Sequence, residues 1–145
     1  MLTKVVNTII LSFTLSLFCC APKTQILDIY DNGKKKLIRE YKVTKNGVRP
    51  DSVTTKLLKY HRNGMRFYFQ DILGGDPNGN YRSWFDSGRK YAKGNYINGQ
   101  LAGKWTWYGN DGLLDSVRSF HQDVLNGVYI NYFNNGKPQL IIDYV

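Results

Sequence analysis

The chain has 145 residues and a formal net charge of +9, and 14% of its residues are aromatic, 11 of them Tyr. This length predicts a single domain. Both cysteines, Cys19 and Cys20, lie near the N-terminus, which excludes the rest of the chain from the disulfide-stabilised and thiol-enzyme classes. Its stability must therefore come from apolar packing, to which the many rings contribute.

The first element in chain order is an apolar segment, MLTKVVNTIILSFTLSLFCC. Its apolar run over residues 5–18 is too short to span a bilayer, which takes about 20 residues. The segment predicts an export signal over residues 1–19 that is removed from the mature protein. The ending LFCC resembles a bacterial lipobox, which implies that Cys20 carries the lipid and anchors the protein in the bacterial cell envelope. The alternative is an ordinary secreted protein in which the two cysteines have no role.

A short tether is expected over residues 20–27, followed by a repeat domain over residues 28–145. Residues 21–66 hold twelve Lys or Arg against four acids, whereas residues 67–145 hold seven of each. Next to a membrane anchor, Lys34, Lys35 and Lys36 would face anionic headgroups, each contributing about 1 kcal/mol. The alternative is a solvated surface that only keeps the protein soluble. Nucleic acid is not expected as a partner, because no nucleic-acid-binding motif is present.

Three stretches recur at a spacing of 24 residues, namely GNYRSWFDSG, GKWTWYGNDG and GVYINYFNNG. They share a glycine at the first and tenth positions, a ring at the third and sixth, and another ring eight residues after the last glycine. In the same order, these residues are Gly79, Gly103 and Gly127; Gly88, Gly112 and Gly136; Tyr81, Trp105 and Tyr129; Trp84, Tyr108 and Tyr132; and Tyr96, Phe120 and Tyr144. Such a period predicts that each copy is one supersecondary unit that buries its apolar face on its neighbours.

Two further copies precede these three. Tyr60 and Gly64 continue the register backward, although Thr55 stands where the opening glycine would be. An earlier stretch, NGKKKLIREY, parallels NGKPQLIIDY near the C-terminus, but this first copy lacks its opening half. Gly33 and Gly64 are 31 residues apart rather than 24, so seven additional residues within NGVRPDSVTT are expected to loop out.

A turn-forming dipeptide closes every copy. The five pairs are Asn32/Gly33, Asn63/Gly64, Ser87/Gly88, Asp111/Gly112 and Asn135/Gly136. Such pairs favour the positive φ angles of a tight hairpin turn, and the flanking segments are rich in residues that suit β-strands. The second corner of a copy is expected to be six residues long, as in LGGDPN, INGQLA and HQDVLN. The sequence predicts an all-β fold, an elongated single twisted antiparallel sheet of stacked β-hairpins. Within a copy, the third and sixth positions fall on opposite faces unless a bulge intervenes.

The repeat resembles the MORN repeat, specifically the bacterial variant found in proteins labelled YwqK-type antitoxins. The resemblance rests on GKWTWYGNDG followed by Phe120, with YINGQLAGKW upstream, and it covers about residues 28–145. Gly109 departs from the pattern, because it replaces the ring present at Phe85 and Phe133. The resemblance implies a ribbon of β-hairpins, no catalytic residues, and an interaction role such as the neutralisation of a toxin.

The residues do not suggest an enzyme. His61 and His121 occupy different positions of their copies, two copies apart, and the acidic residues are scattered. We therefore expect no catalytic set, no metal and no cofactor.

Two classes of function remain. The first is a membrane-tethered module that binds a protein, with a toxin as one such partner. The second is a structural envelope lipoprotein that binds glycan or lipid headgroups. Trp107, Tyr108 and Trp84 are the candidate partner-binding residues. Trp107 aligns with Ser83 and Asn131, where other copies have polar groups, so we expect it to contribute more to binding and less to stability than Trp105 does.

Overall fold

The computed structural model of the protein describes residues 21–45 and 50–145. These residues form ten strands in one open antiparallel sheet, in which each strand pairs with its neighbours in chain order. The strands are β1 (Lys23–Ile29), β2 (Lys35–Lys45), β3 (Pro50–Tyr60), β4 (Arg66–Leu73), β5 (Asp76–Trp84), β6 (Lys90–Ile97), β7 (Gln100–Tyr108), β8 (Leu114–His121), β9 (Val124–Tyr132) and β10 (Pro138–Tyr144). The prediction of an all-β sheet of stacked hairpins is confirmed.

Each of the five copies forms one hairpin, and its closing glycine lies in the turn. These glycines all have φ between 77° and 93°; they are Gly33, Gly64, Gly88, Gly112 and Gly136. The glycine N–H donates to a carbonyl three residues earlier, as from Gly112 to Gly109 at 2.9 Å. In four of the turns the preceding Asn or Asp side chain also accepts the N–H that follows the glycine. The dipeptides therefore close the hairpins as predicted.

The second corner is shorter than expected. Leu73 pairs directly with Asp76, Ile97 with Gln100, and His121 with Val124, which leaves two residues in each turn. Both residues of each turn have positive φ, a requirement of the tightest hairpin turns; they are Gly74 and Gly75, Asn98 and Gly99, and Gln122 and Asp123. The expectation of six-residue corners is wrong, because the other four residues join the strands.

The N-terminal half holds more strand than the sequence predicts. Strand β1 begins at Lys23, so residues 23–26 of the expected tether already pair with β2, and β1 supplies the missing opening strand of the first copy. Residues 50–54 pair with residues 41–45. The additional residues of NGVRPDSVTT therefore lengthen a hairpin instead of looping out at residues 50–54, while residues 46–49 lie outside the described part of the chain.

The opening glycines lie in bulges. In three places, three residues of one strand stand opposite a single residue of the neighbouring strand. These stretches are residues 78–80, 103–105 and 126–128, and they contain Gly79, Gly103 and Gly127. The φ angles of these glycines are 108°, 63° and 84°. Thr55, which replaces the glycine in the second copy, interrupts the pairing by only one residue. The repeated glycine therefore permits a three-residue bulge, which other residues adopt only with backbone strain.

The two ring positions of a copy lie on opposite faces of the sheet. Third-position rings contact each other on one face, as Tyr81 and Trp105 do at 5.4 Å between centroids. The sixth-position ring of Trp84 contacts Phe69 on the other face, at 5.9 Å. We call the first the aromatic face, defined by Tyr81, Trp105 and Tyr129. The second is the basic face, defined by the rings of Trp84, Tyr108 and Tyr132 and by five cations. These cations are Arg66, Arg82, Lys90, Lys93 and Lys104.

Burial in this single layer is concentrated where large rings cover small residues. On the aromatic face, Ser83, Ala92 and Ser116 are almost fully buried, and Trp105 is 3% exposed. A shallower apolar row crosses the basic face through Ile38, Leu58 and Val117. Each face therefore packs against its own side chains, because no other layer covers the sheet within residues 21–45 and 50–145.

Candidate binding face of the sheet

Trp105 is the centre of a ring cluster on the aromatic face. Its indole lies 5.1 to 5.7 Å, between centroids, from the rings of Tyr96, Tyr81 and Trp107. Its Nε1–H donates to the Asn95 carbonyl at 3.1 Å, so the polar edge of the buried ring has a partner. These contacts make the aromatic face a packed surface around Trp105.

Trp107 belongs to the same cluster. Its ring is half-buried and stacks on Trp105, and the Arg118 guanidinium lies over it at 5.0 Å. The equivalent residue in the preceding copy, Ser83, is 1% exposed. A polar residue at this position therefore does not mark an exposed site, and part of the Trp107 surface is committed to packing. Its role in partner binding stays a prediction.

Rings and cations alternate along the basic face, close to the closing turns. Tyr60 lies directly opposite Arg66, and Trp84 lies directly opposite Lys90. The Arg66 guanidinium also lies over the Trp84 ring, 5.4 Å from its centroid. The next pairs in this row are Tyr108 with Leu114 and Tyr132 with Pro138. The sixth-position rings therefore stand on every second strand, with a cation between them in β4 and β6.

A second group of cations lies farther from the turns. Arg82 is directly opposite Lys93, and Lys104 lines the same concavity as both. This concavity has a volume of about 610 Å³, and Tyr108 and Tyr132 also line it. A smaller one of about 190 Å³ lies between Trp84 and Tyr108. The basic face thus combines open depressions, aromatic walls and clustered positive charge.

The structure divides the three predicted partner-binding residues between the two faces. Trp84 and Tyr108 line one concavity on the basic face, whereas Trp107 is on the aromatic face. The cations beside Trp84 and Tyr108 were not among the predicted site residues. Lys90 recurs as Arg66 in the preceding copy, and this recurrence was overlooked. The positions of Arg82, Lys93 and Lys104 hold no cation in the neighbouring copies, so the period carried no signal for these three. The alternation of Arg82 with Trp84 along β5 was the available local hint.

The three lysines predicted to face a membrane differ in their surroundings. Lys36 forms an ion pair with Asp28 at 2.7 Å, and the hydrogen bond in this pair raises the pKa of Lys36 and lowers the pKa of Asp28. Lys34 donates to the Asn63 carbonyl at 2.7 Å. Lys35 is exposed and has no such partner in the described chain. Membrane contact by these residues stays a prediction, and Cys20 lies outside the described residues.

The two histidines and two of the tyrosines have no arrangement that indicates catalysis. The Nε2 atom of His61 lies 2.9 Å from the Trp84 carbonyl oxygen, and His121 is exposed beside a turn. Burial raises the pKa of Tyr68 and Tyr96, so the folded state favours their uncharged hydroxyls and loses stability only as the pH rises above about 10.

Within residues 21–45 and 50–145, no three His, Cys, Asp or Glu side chains could jointly hold a metal ion. None of the described residues belongs to a helix with the length and apolarity needed to cross a bilayer.

Comparisons of the chain with protein-family models, with curated proteins and with solved structures found no significant match.

Proposed function

We propose that the protein is a non-enzymatic, membrane-tethered binding module that holds a protein partner on the basic face of its sheet. The observation that carries this proposal is the group of exposed cations around Trp84 and Tyr108, beside two concavities on a face without a covering layer. Trp, Tyr and Arg are the residues that contribute most to protein–protein binding energy.

The shape of the molecule supports this proposal. A single sheet exposes both of its faces, and a face as wide as several strands matches the extended surface of a folded partner. The aromatic face is occupied by its own packing around Trp105, whereas the rings of the basic face alternate with exposed cations. The basic face is therefore the better docking surface.

The lipid on Cys20 belongs to the same proposal, because a tether would hold the module at an envelope membrane where it meets its partner. The resemblance to YwqK-type repeat proteins makes a toxin the first class of partner to test. Envelope glycan and lipid headgroups are the ligands of the competing function, and the experiment below distinguishes them from protein.

The test is site-specific photo-crosslinking in cells that express the full chain. A photo-reactive phenylalanine analogue replaces Tyr108 on the basic face or, as a matched control, Tyr129 on the aromatic face. Both tyrosines are half-buried, and they lie at ring positions of neighbouring copies. We expect the chain modified at Tyr108 to form a discrete adduct with a second polypeptide, and the chain modified at Tyr129 to form none.

Adducts with lipid or glycan alone at Tyr108 would establish the competing function. The absence of any protein adduct, or an adduct formed only from Tyr129, would overturn the proposal that the basic face holds a protein partner.

A further inference from the structure

All the Lys and Arg residues of the three central strands β5, β6 and β7 lie on the basic face. They are Arg82, Lys90, Lys93 and Lys104. Arg66 of β4 joins them through its position over Trp84. All five side chains are exposed. Five positive charges therefore occupy one side of four neighbouring strands, about 5 Å apart from strand to strand.

These five cations have no counter-charge within the described chain. The ion pairs among residues 21–45 and 50–145 involve only Lys36, Lys56 and Arg62 as cations. Asp71 shares the basic face, but its carboxylate accepts two hydrogen bonds from Asn80 and lies 3.8 Å from Lys56. The charges on β5, β6 and β7 thus remain available for an external anion.

The arrangement is unfavourable for the sheet by itself. Arg82 and Lys93 are directly opposite each other, and like charges in this position destabilise a pair of strands. Side chains that break a local rule without an internal compensation are typical of functional surfaces. A bound anion would remove this repulsion and supply the compensation.

Two of the cations are oriented for carboxylate recognition. The Arg66 guanidinium lies over Trp84 at 5.4 Å, and the Arg82 guanidinium lies over Phe69 at 5.7 Å. A guanidinium stacked on a ring keeps its N–H edges free, and these edges match the two oxygens of a carboxylate. The lysine ammonium groups add positive charge but set fewer requirements on the orientation of the bound carboxylate.

The basic cluster adjoins an apolar area on the same face. Beyond β7, the row through Thr106 continues as Val117, Ile130 and Ile141, and Ile141 is 63% exposed. A polyanionic chain without apolar groups would leave this area unused, whereas a protein surface combines acidic and apolar side chains. The occupant that fits both halves is therefore an acidic protein surface.

We infer that the basic face recognises a partner through a cluster of carboxylates, which contact Arg66, Arg82, Lys90, Lys93 and Lys104 while apolar side chains of the partner cover Ile130 and Ile141. This inference rests on the proposed function and specifies the chemistry of its partner.

The experiment measures binding of fluorescent poly-L-glutamate to the full chain in a non-ionic detergent, at an ionic strength of about 20 mM, where screening is weak. The test variant combines Arg82→Gln with Lys93→Gln. The matched control combines Lys42→Gln with Lys137→Gln, which removes the same charge from exposed residues that do not belong to the cluster of five cations. We expect about tenfold weaker binding for the test variant and less than about a twofold change for the control.

The inference would be overturned by the absence of binding, by equal losses in the two variants, or by stronger binding of heparin or anionic vesicles than of polyglutamate. These outcomes are distinct from failure of the proposed function. If polyglutamate binding fails and the Tyr108 adduct with a protein persists, a protein partner remains and only its acidic character is excluded.

Discussion

Among single residues, Trp105 contributes most to the packing of the aromatic face. It is 3% exposed, contacts three rings and donates a hydrogen bond to Asn95. A side chain at Gly94 would overlap the Trp105 indole, so this glycine provides the space for the ring. The neighbouring copies have Gln70 and Arg118 at the position of Gly94, together with the smaller rings of Tyr81 and Tyr129. The large ring and the missing side chain therefore depend on each other.

The two tryptophans should differ in their contribution to stability. We expect Trp105→Ala to lower the free energy of unfolding by about 3–5 kcal/mol, as for other buried rings. Trp107→Ser should cost less, about 1.5–3 kcal/mol, because the half-buried Trp107 loses its ring contact and only part of the burial of a core ring. Urea unfolding followed by circular dichroism measures both. Equal losses for the two variants would place Trp107 in the core and end its role as a candidate contact residue.

The two kinds of turn that join the strands have different sequence requirements. The closing turns need one residue with positive φ, and glycine supplies it in all five hairpins. The two-residue turns need two such residues, and only the turn of Gln122 and Asp123 lacks glycine. Asp123 compensates because its carboxylate accepts the Leu101 N–H at 2.7 Å and so connects two hairpins. Gln122 has no comparable contact in the described structure.

Because only Asp123 makes a contact outside the turn, we expect a substitution at Gln122 to stabilise the protein and a substitution at Asp123 not to stabilise it. Gln122→Asn should raise the free energy of unfolding by about 0.5 kcal/mol, because Asn tolerates the left-handed conformation better than Gln does. Asp123→Gly should not stabilise the protein, because it removes the acceptor for Leu101 and loses about 1 kcal/mol of hydrogen bonding. Thermal unfolding of the two variants beside the parent protein checks the prediction. A higher Tm for Asp123→Gly than for the parent would show that backbone strain outweighs the bond to Leu101.

The protein as proposed combines a sheet with a lipid anchor. Cys20→Ser should move the protein from the detergent phase to the aqueous phase in a phase-partition experiment, because an acyl chain contributes about 0.8 kcal/mol for each buried CH₂ group. N-terminal analysis of the product is the control that shows whether the signal is still removed. Retention in the detergent phase after correct removal would mean that something other than the lipid holds the protein at the membrane.

The charges of the N-terminal third do not form one surface in the folded molecule. Arg39 contacts Tyr41, Lys59 lies over Phe67, and Lys36 and Arg62 are paired with carboxylates. Along β3, Lys56 and Lys59 point to opposite faces, so the excess of positive charge in residues 21–66 is spread over both faces. The densest unpaired cluster is instead on β4–β7, and four of its five cations belong to residues 67–145, where positive and negative residues are equal in number.

The hairpins, their number and their closing turns follow from local sequence alone. These features depend on neighbouring residues, since a positive φ needs glycine and a strand needs residues that suit a pleated surface. The spacing of 24 residues also showed that the copies stack as one sheet. It did not reveal β1, because residues 23–29 lack the rings of the other copies and are held as a strand by pairing with β2.

Which side chains meet across the sheet depends on the register of the folded strands. Each bulge changes the register between two strands, so the face on which a residue lies depends on the bulges of its neighbours as well as on alternation along its own strand. For this reason the sequence left the faces of Trp84 and Trp105 unresolved and did not show that Arg82, Lys93 and Lys104 come together. Gly94 is a similar case, because its importance arises from a ring eleven residues away that folds over it.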